Sequence, residues 1–128
     1  MNILLDTHVV LWYQANDPKL SKETHRDIES SNDSCYVSIV SLWEIVVKFS
    51  IGKLPLSMPL NDLYNTIELA GFVLIELRKA QHLISAQLPI HHRDPFDRLL
   101  IAQAKAEGLH LLTSDPQFSQ YRVSLLHA

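Results

Sequence analysis

The stretch "DPFDRLLIAQAKAEGLHLLTSD" (94–115) combines a capped helix with a short apolar strand that ends in an acid. Asp94 is suited to cap the helix, because its carboxylate can accept a backbone N–H. Pro95 then takes the first helical position, where its missing N–H costs nothing. Asp97 follows at the third position, where a carboxylate favours the positive end of the helix dipole. The run "LHLLTSD" (109–115) predicts a strand directly after this helix.

Outside this stretch, strands and helices alternate along the chain. The apolar runs "NILLD" (2–6), "CYVSIV" (35–40), "FVLIEL" (72–77) and "YRVSLL" (121–126) predict further strands. Predicted helices cover residues 7–16, 22–31, 41–53, 60–71 and 79–88. Strands that alternate with helices pair in parallel and carry helices on both faces of the sheet. We therefore expect residues 1–128 to form a single α/β domain, a three-layer sandwich with a mostly parallel central sheet of four to five strands.

The composition describes an ordinary globular protein and excludes several other classes. Hydrophobic residues make up 47% of the chain and charged residues 20%, while the formal net charge is −3. The chain as a whole is not basic, so its net charge does not indicate nucleic-acid binding, although a local basic rim can be enough to bind a nucleic acid. Cys35 is the only cysteine, so no intrachain disulfide can form. Apolar runs such as "VVLWY" (9–13) are too short to span a bilayer, and we expect a cytoplasmic protein.

Four acidic side chains are the candidates for a functional site: Asp6, Glu44, Asp97 and Asp115. Each also has a structural interpretation. Asp6 and Asp115 can cap the segments that follow them, and Asp97 can support the start of its helix. Glu44 can form an ion pair with Lys48 one turn later. The helix around Glu44 is apolar on nearly all sides, however, so an acid there without a further role is unexpected.

The order of the predicted elements brings the four acids to one edge of the sheet. Asp6 and Asp115 end parallel strands, while Glu44 and Asp97 lie in the opening turns of helices that leave the same edge. Such sheets bind ligands outside the carboxyl ends of their strands. Crowded carboxylates stay ionised only with a cation, because like charges repel. The pattern predicts a divalent metal site, and Mg²⁺ suits few carboxylates, several waters and a substrate phosphate.

Other polar residues near the acids leave two interpretations open. The flanking cations lie either on a solvated face or on a rim that holds phosphate: Lys48, Lys53, Arg93 and Arg98. His8 either reaches the cleft or packs on its own helix. His91 and His92 are more consistent with surface histidines than with a zinc site, since no second Cys/His cluster accompanies them. Thr113 either orients a metal-bound water or simply ends a strand.

Four blocks of sequence, in this order, span nearly the whole chain. They are "LLDTHVVLW" (4–12), "SIVSLWEIVVKFSIGKL" (38–54), "HRDPFDRLLIAQA" (92–104) and "LLTSDPQF" (111–118). Together they resemble the blocks of a PIN domain, in the group of bacterial VapC-type toxins. The resemblance implies a compact PIN-like fold and a Mg²⁺-dependent endoribonuclease that hydrolyses RNA phosphodiester bonds, with Mn²⁺ as a substitute. It also implies a homodimer and a cognate antitoxin protein that blocks the site.

Carried over position by position, the resemblance assigns catalytic and metal-binding roles to Asp6, Glu44, Asp97 and Asp115. Asp94 matches a position that recurs in the VapC group but is not counted among the acids. The resemblance therefore implies that Asp94 starts the helix and Asp97 faces the metal. Because no acid is missing, we expect an active enzyme. The alternative is a non-catalytic PIN-like module that binds a metal or a basic partner peptide.

The chain also carries more apolar surface than a single buried stripe requires. The helix at 41–53 has apolar residues on more than one face, and Trp12 and Tyr13 are residue types enriched in interface cores. This helix is either a central one, covered by the helices at 60–71 and 79–88, or part of a binding surface. On the second interpretation, the surface binds an antitoxin, a second subunit, or both.

Overall fold

The computed structural model describes residues 2–31, 34–56, 58–89, 94–121 and 125–127. The first half contains β1 (Ile3–Leu5), α1 (Thr7–Ala15), α2 (Lys22–Ser30), β2 (Cys35–Ser38) and α3 (Ile39–Ser50). The second half contains α4 (Leu60–Leu69), β3 (Val73–Ile75), α5 (Lys79–Gln87), α6 (Pro95–Glu107), β4 (His110–Thr113), a short 3₁₀ helix (Pro116–Gln120) and β5 (Leu125–His127). The predicted alternation of strands and helices is confirmed.

The five strands form one parallel sheet in the order β3-β2-β1-β4-β5. β1 is central, and Leu4 pairs with Tyr36 of β2 on one side and with Leu111 of β4 on the other. Since successive side chains of a strand point to opposite faces, Leu4 and Leu5 lie in different cores. The carboxyl ends of β1 and β4 lie side by side, which places Asp6 beside the end of β4.

Helices cover both faces of this sheet, as a three-layer α/β sandwich requires. One core packs Leu5 and Leu112 against α1, α2 and α4. The other packs Leu4 and Leu111 against residues of α6, with α5 beyond. Both cores consist mainly of buried aliphatic side chains, so burial of apolar area on the two sheet faces stabilises the fold.

Helix α3 begins two residues earlier than the sequence pattern predicts. The apolar alternation of residues 35–40 continues past the strand, but β2 ends at Ser38. The Ser38 hydroxyl accepts a hydrogen bond from the Val40 amide at 3.0 Å and so caps α3. A capping side chain overrides the strand preference of the β-branched residues at 39 and 40.

α3 contributes to both cores and still presents apolar side chains to solvent. Leu42 and Ile45 pack in one core and Val40 in the other. An outer stripe, spaced along one face of the helix, is 37–51% exposed and consists of Ile39, Trp43, Val46 and Phe49. α3 therefore packs mainly against α1 and α6, rather than under the predicted helices at 60–71 and 79–88, and keeps one apolar face exposed; the binding surface stays a prediction. No helix among the described residues is both long enough and apolar enough to cross a bilayer.

Helix α6 starts as its sequence predicts. Asp94 Oδ1 accepts hydrogen bonds from the amides of Phe96 at 2.9 Å and Asp97 at 3.1 Å, and Pro95 takes the first helical position. The Asp94 carboxylate thus supplies the predicted N-terminal cap of α6.

Candidate functional site

Asp6, directly after β1, is almost completely buried, with 3% of its surface exposed. One carboxylate oxygen accepts a hydrogen bond from the Thr7 amide at 2.7 Å, and the other accepts one from the Thr113 hydroxyl at 2.9 Å. Burial raises the pKa of Asp6 above its usual value, although the bond from Thr113, the nearby His8 and the bond from Thr7 act to lower it. The chain therefore holds this carboxylate in one orientation, in surroundings that penalise its charge.

Glu44 is the second buried acid, with 2% exposure. Its Oε1 accepts a hydrogen bond from the Thr7 hydroxyl at 2.7 Å, and its Oε2 forms an ion pair with the Lys48 ammonium. The hydroxyls of Thr7 and Ser41 lie 2.9 Å apart, so Thr7 links the start of α1 to α3. The predicted ion pair with Lys48 is present, but it belongs to a buried acid rather than to a solvated helix face.

The pKa of Asp97 is raised by the charges of all the neighbouring acids. Burial and, after it, the charges of Asp94, Asp6, Glu44 and Asp115 together raise this pKa to about 8. Electrostatic effects of this kind require the carboxylates to lie close to one another. The four predicted acids and the capping Asp94 thus form one negatively charged cluster, which we call the acidic cluster.

Asp115 is joined to Asp6 through one threonine. The Asp115 amide donates to the Thr113 hydroxyl oxygen at 3.0 Å, and that hydroxyl in turn donates to Asp6. Asp115 Oδ1 also accepts from the Gln117 amide at 2.9 Å and caps the 3₁₀ helix, so its predicted capping role is present as well. Thr113 therefore fixes the backbone of one acid relative to the side chain of another.

Lys48 brings a positive charge to the acidic cluster. Burial acts to lower the pKa of its ammonium, but the hydrogen bond and charge of Glu44, and the charges of Asp94 and Asp97, outweigh burial and raise that pKa. The ammonium consequently stays charged at neutral pH. About a third of the Lys48 side chain is exposed, so this charge lies at the boundary between the buried acids and solvent.

The comparison with known protein families bears directly on this arrangement. A profile of the PIN domain matches residues 3–123. The chain belongs to the PIN domain family. The resemblance stated from the four sequence blocks is confirmed.

Individual relatives of this PIN domain agree with the family assignment. The chain is 28% identical over 124 residues to the protein named Ribonuclease VapC22 from Mycobacterium tuberculosis, covering 94% of this chain and 92% of that protein. The fold superposes on a chain of VapBC2 from Rickettsia felis bound to a DNA fragment from its promoter, with a TM-score of 0.72, 16% identity and coverage of 99% and 98%. It also superposes on a chain of DNA-bound VapBC from Salmonella typhimurium, with a TM-score of 0.74, 14% identity and coverage of 99% and 98%. At these identities the structural likeness shows the fold.

The donor set of this PIN domain fits a hard divalent cation. Carboxylate oxygens are the ligands that Mg²⁺ prefers, and a divalent charge would relieve the repulsion that raises the pKa of Asp97. Among the residues that the structure describes, no three Asp, Glu, His or Cys side chains already form a metal-binding group. Mg²⁺ usually keeps several waters and takes only one or two carboxylates directly, so such a preformed group is not required.

The predicted flanking cations differ in their surroundings, and Lys53 is exposed. Arg98 does not turn toward the acids: its guanidinium donates to the carbonyl oxygens of Ser85 at 2.7 Å, Pro89 at 3.0 Å and Leu88 at 3.1 Å. These carbonyls lie at the end of α5, where a cation also complements the helix dipole. The phosphate-rim interpretation of Arg98 is therefore wrong, and the residue anchors α5 to α6. Within the described part of the chain, Lys48 is the predicted cation that lies among the acids.

The predicted histidines also differ in their placement. His8 is exposed on α1, where its ring centroid lies 6.0 Å from that of Trp12 on the same helix, and it also interacts electrostatically with Asp6, so features of both interpretations are present. His91, His92 and Arg93 lie outside the described residues.

Several supporting residues were not predicted from the sequence. Thr7 contacts Glu44 directly, and Ser41 is linked to Glu44 through the Thr7 hydroxyl. The position of Thr7 immediately after a strand-end acid was the sequence signal for such a role. Gln103, fully buried in α6, accepts from the Ser38 hydroxyl and donates to the Glu76 carbonyl oxygen at 3.0 Å. An amide on the apolar face of α6 could have indicated a buried partner, although not which one.

Proposed function

We propose that this PIN domain is a Mg²⁺-dependent endoribonuclease that acts as the toxin of a toxin–antitoxin pair in the cytoplasm, with Mn²⁺ as a substitute ion. The observation that carries the proposal is the acidic cluster, in which Asp97 experiences the charges of four neighbouring carboxylates. Membership of the PIN family and the relative named as a ribonuclease support the same activity. A metal-dependent phosphodiesterase needs such a cluster, because a cation must face both the acids and a phosphate.

In the proposed mechanism, Asp6, Asp97 and Asp115 would hold the divalent ion directly or through water, and Glu44 would lie in the shell around these ligands. When bound, the ion supplies an activated water and neutralises charge on the scissile phosphate. The other residues position these acids. Thr113 fixes Asp6 and the backbone of Asp115, while the N-terminal cap of α6 fixes Asp97.

RNA cleavage by matched variants tests the assignment. Asp97→Asn should reduce cleavage at least about 100-fold, because a metal ligand is lost while an amide still suits the third helical position. Asp94→Asn should retain most activity, since asparagine is an equally good cap. Asp62→Asn, at the third position of α4, is an exposed control outside the cluster and should cleave like the parent. If Asp97→Asn cleaved RNA as fast as the parent, the assignment of Asp97 as a metal ligand would be wrong.

The proposed antitoxin site is a groove along α1 whose lining includes His8, two residues after Asp6. This groove has a volume of about 330 Å³, and its walls are mainly apolar; they include His8, Leu11, Trp12, Leu54, Leu56 and Met58. His8 also interacts electrostatically with Asp6. An amphipathic antitoxin segment in this groove could extend a basic side chain to the acids and compete with the metal. The two structural relatives described above are complexes of VapBC proteins, which supports a protein partner.

For the proposed homodimer, the outer stripe of α3 is the available apolar surface. Its most exposed member is Trp43, whose ring packs edge-on against Phe96 of α6 at a centroid distance of 5.0 Å. The stripe therefore continues onto the helix that carries Asp97. Val46→Glu should weaken dimerisation in sedimentation or light scattering without altering the acids. A variant that dimerises like the parent would remove the stripe from the interface.

A further inference from the structure

The ion pair between Lys48 and Glu44 affects the number of metal ions that the acidic cluster can bind. The two residues are one turn apart on α3, and the Lys48 ammonium contacts Glu44 Oε2. The other oxygen, Oε1, accepts from the Thr7 hydroxyl. Both oxygens of Glu44 therefore already have donors from the protein, and one of these donors is an ammonium whose positive charge lies where an ion would bind Oε2.

The positive charge of Lys48 also acts on acids other than Glu44. The ammonium interacts electrostatically with Asp94 and Asp97 as well as with Glu44, so it acts on the acids of both α3 and α6. Two-metal phosphodiesterase sites hold their ions about 3.5–4 Å apart between shared carboxylates. A second divalent ion beside Glu44 would have to displace the Lys48 ammonium from the buried Glu44 carboxylate. The ion and the ammonium would also repel each other.

We propose that the Lys48 ammonium takes the place of a second divalent cation, so that the acidic cluster binds one ion, on the side of Asp6 and Asp97. The inference rests on the proposed metal-dependent function. A lysine can serve in this place because its ammonium binds phosphate as a point charge. The exposed third of the side chain faces solvent, where an RNA phosphate would arrive. In this site Glu44 positions Lys48 and is not a ligand of the metal.

Titration of the metal-free protein with Mn²⁺, followed by electron paramagnetic resonance without RNA, tests this inference. The parent should bind one ion per chain, and Lys48→Met should bind two, because the freed Glu44 becomes a ligand. Lys48→Arg keeps the charge and should bind one ion. Lys53→Met removes an exposed lysine just beyond α3 and should also bind one. Two ions in the parent, or one in Lys48→Met, would overturn the proposal.

A second variant covers the case in which Lys48→Met leaves Glu44 without its counter-ion and fails to fold. Glu44→Gln should still bind one Mn²⁺ within about threefold of the parental affinity, because Glu44 is not a ligand while Lys48 is present. Loss of that ion, as expected for Asp97→Asn, would overturn the proposal. A parent that binds no Mn²⁺ would instead overturn the metal-dependent function itself, together with the role of Lys48.

Discussion

Replacing Asp97 with asparagine should stabilise the metal-free fold at neutral pH. The pKa of Asp97 is about 8 in the folded protein against a usual value of 3.8, because of burial and four neighbouring acids. The folded state therefore binds a proton that the unfolded state has released between those pH values. By proton linkage, the free energy of unfolding then falls as the pH rises from about 4 to 8. Asparagine carries no charge and removes this loss.

The size of the effect follows from the same shift. Each pKa unit corresponds to about 1.36 kcal/mol, so roughly three units between 3.8 and pH 7 set an upper bound of about 4 kcal/mol. Asp97 is only partly buried, and solvent screens part of the repulsion, so we expect a gain of about 1–3 kcal/mol at pH 7. The gain should disappear near pH 4, where Asp97 is protonated in both states.

Urea denaturation in the presence of EDTA, at several pH values from 4 to 8.5, measures this difference. The matched control is Asp62→Asn, which removes an acid from the same position of α4 outside the cluster. It should lower the free energy of unfolding by less than about 1 kcal/mol, because only a favourable helix-dipole interaction is lost. If Asp97→Asn were no more stable than the parent at pH 8 and kept the parental pH dependence, the proposed crowding of the acids would be refuted.

Three further changes test other parts of the structure. Excess Mg²⁺ should raise the melting temperature of the parent, and at a hundredfold excess over Kd the stabilisation should be about 2.7 kcal/mol. The ion should have little effect on Asp97→Asn. Calorimetric scans with and without Mg²⁺ compare the two proteins. Thr113→Val should lower the free energy of unfolding in urea by about 1–3 kcal/mol, because Asp6 loses its buried hydroxyl donor. Trp12→Ala should weaken antitoxin binding in a pull-down while sparing the acidic cluster, whereas unchanged binding would place Trp12 in the core alone.

The fold could be predicted from the sequence because its signals are local and mutually consistent. Short apolar runs ended by acids predict buried parallel strands, and the Asp94-Pro95 pair predicts the start of α6. The end of β2 could not be predicted in the same way. Residues 35–40 alternate as a strand would, and only the contact of Ser38 with Val40 decides that α3 begins there.

The acids of the candidate site were predictable, but most of their supporting contacts were not. Asp6 and Asp115 follow strands that end at one edge, which a topology rule anticipates. The role of Arg98 depends on where α5 ends in space, and that position is not encoded in the residues next to Arg98. The ion pair of Lys48 follows from helical spacing, whereas its interaction with Asp94 and Asp97 arises only when α3 and α6 pack together.

The buried side chain of Gln103 has a consequence for protein engineering. Its amide joins the cap of α3, at Ser38, to α6 and to the chain just after β3, at Glu76. The helices that carry Glu44 and Asp97 are thus fastened to each other below the surface that solvent reaches. A designer who transplants only the four carboxylates into another scaffold would copy the donor atoms without the fastening that fixes their spacing. We expect such a graft to keep the spacing of its acids only if Ser38 and Gln103 are transferred together with them.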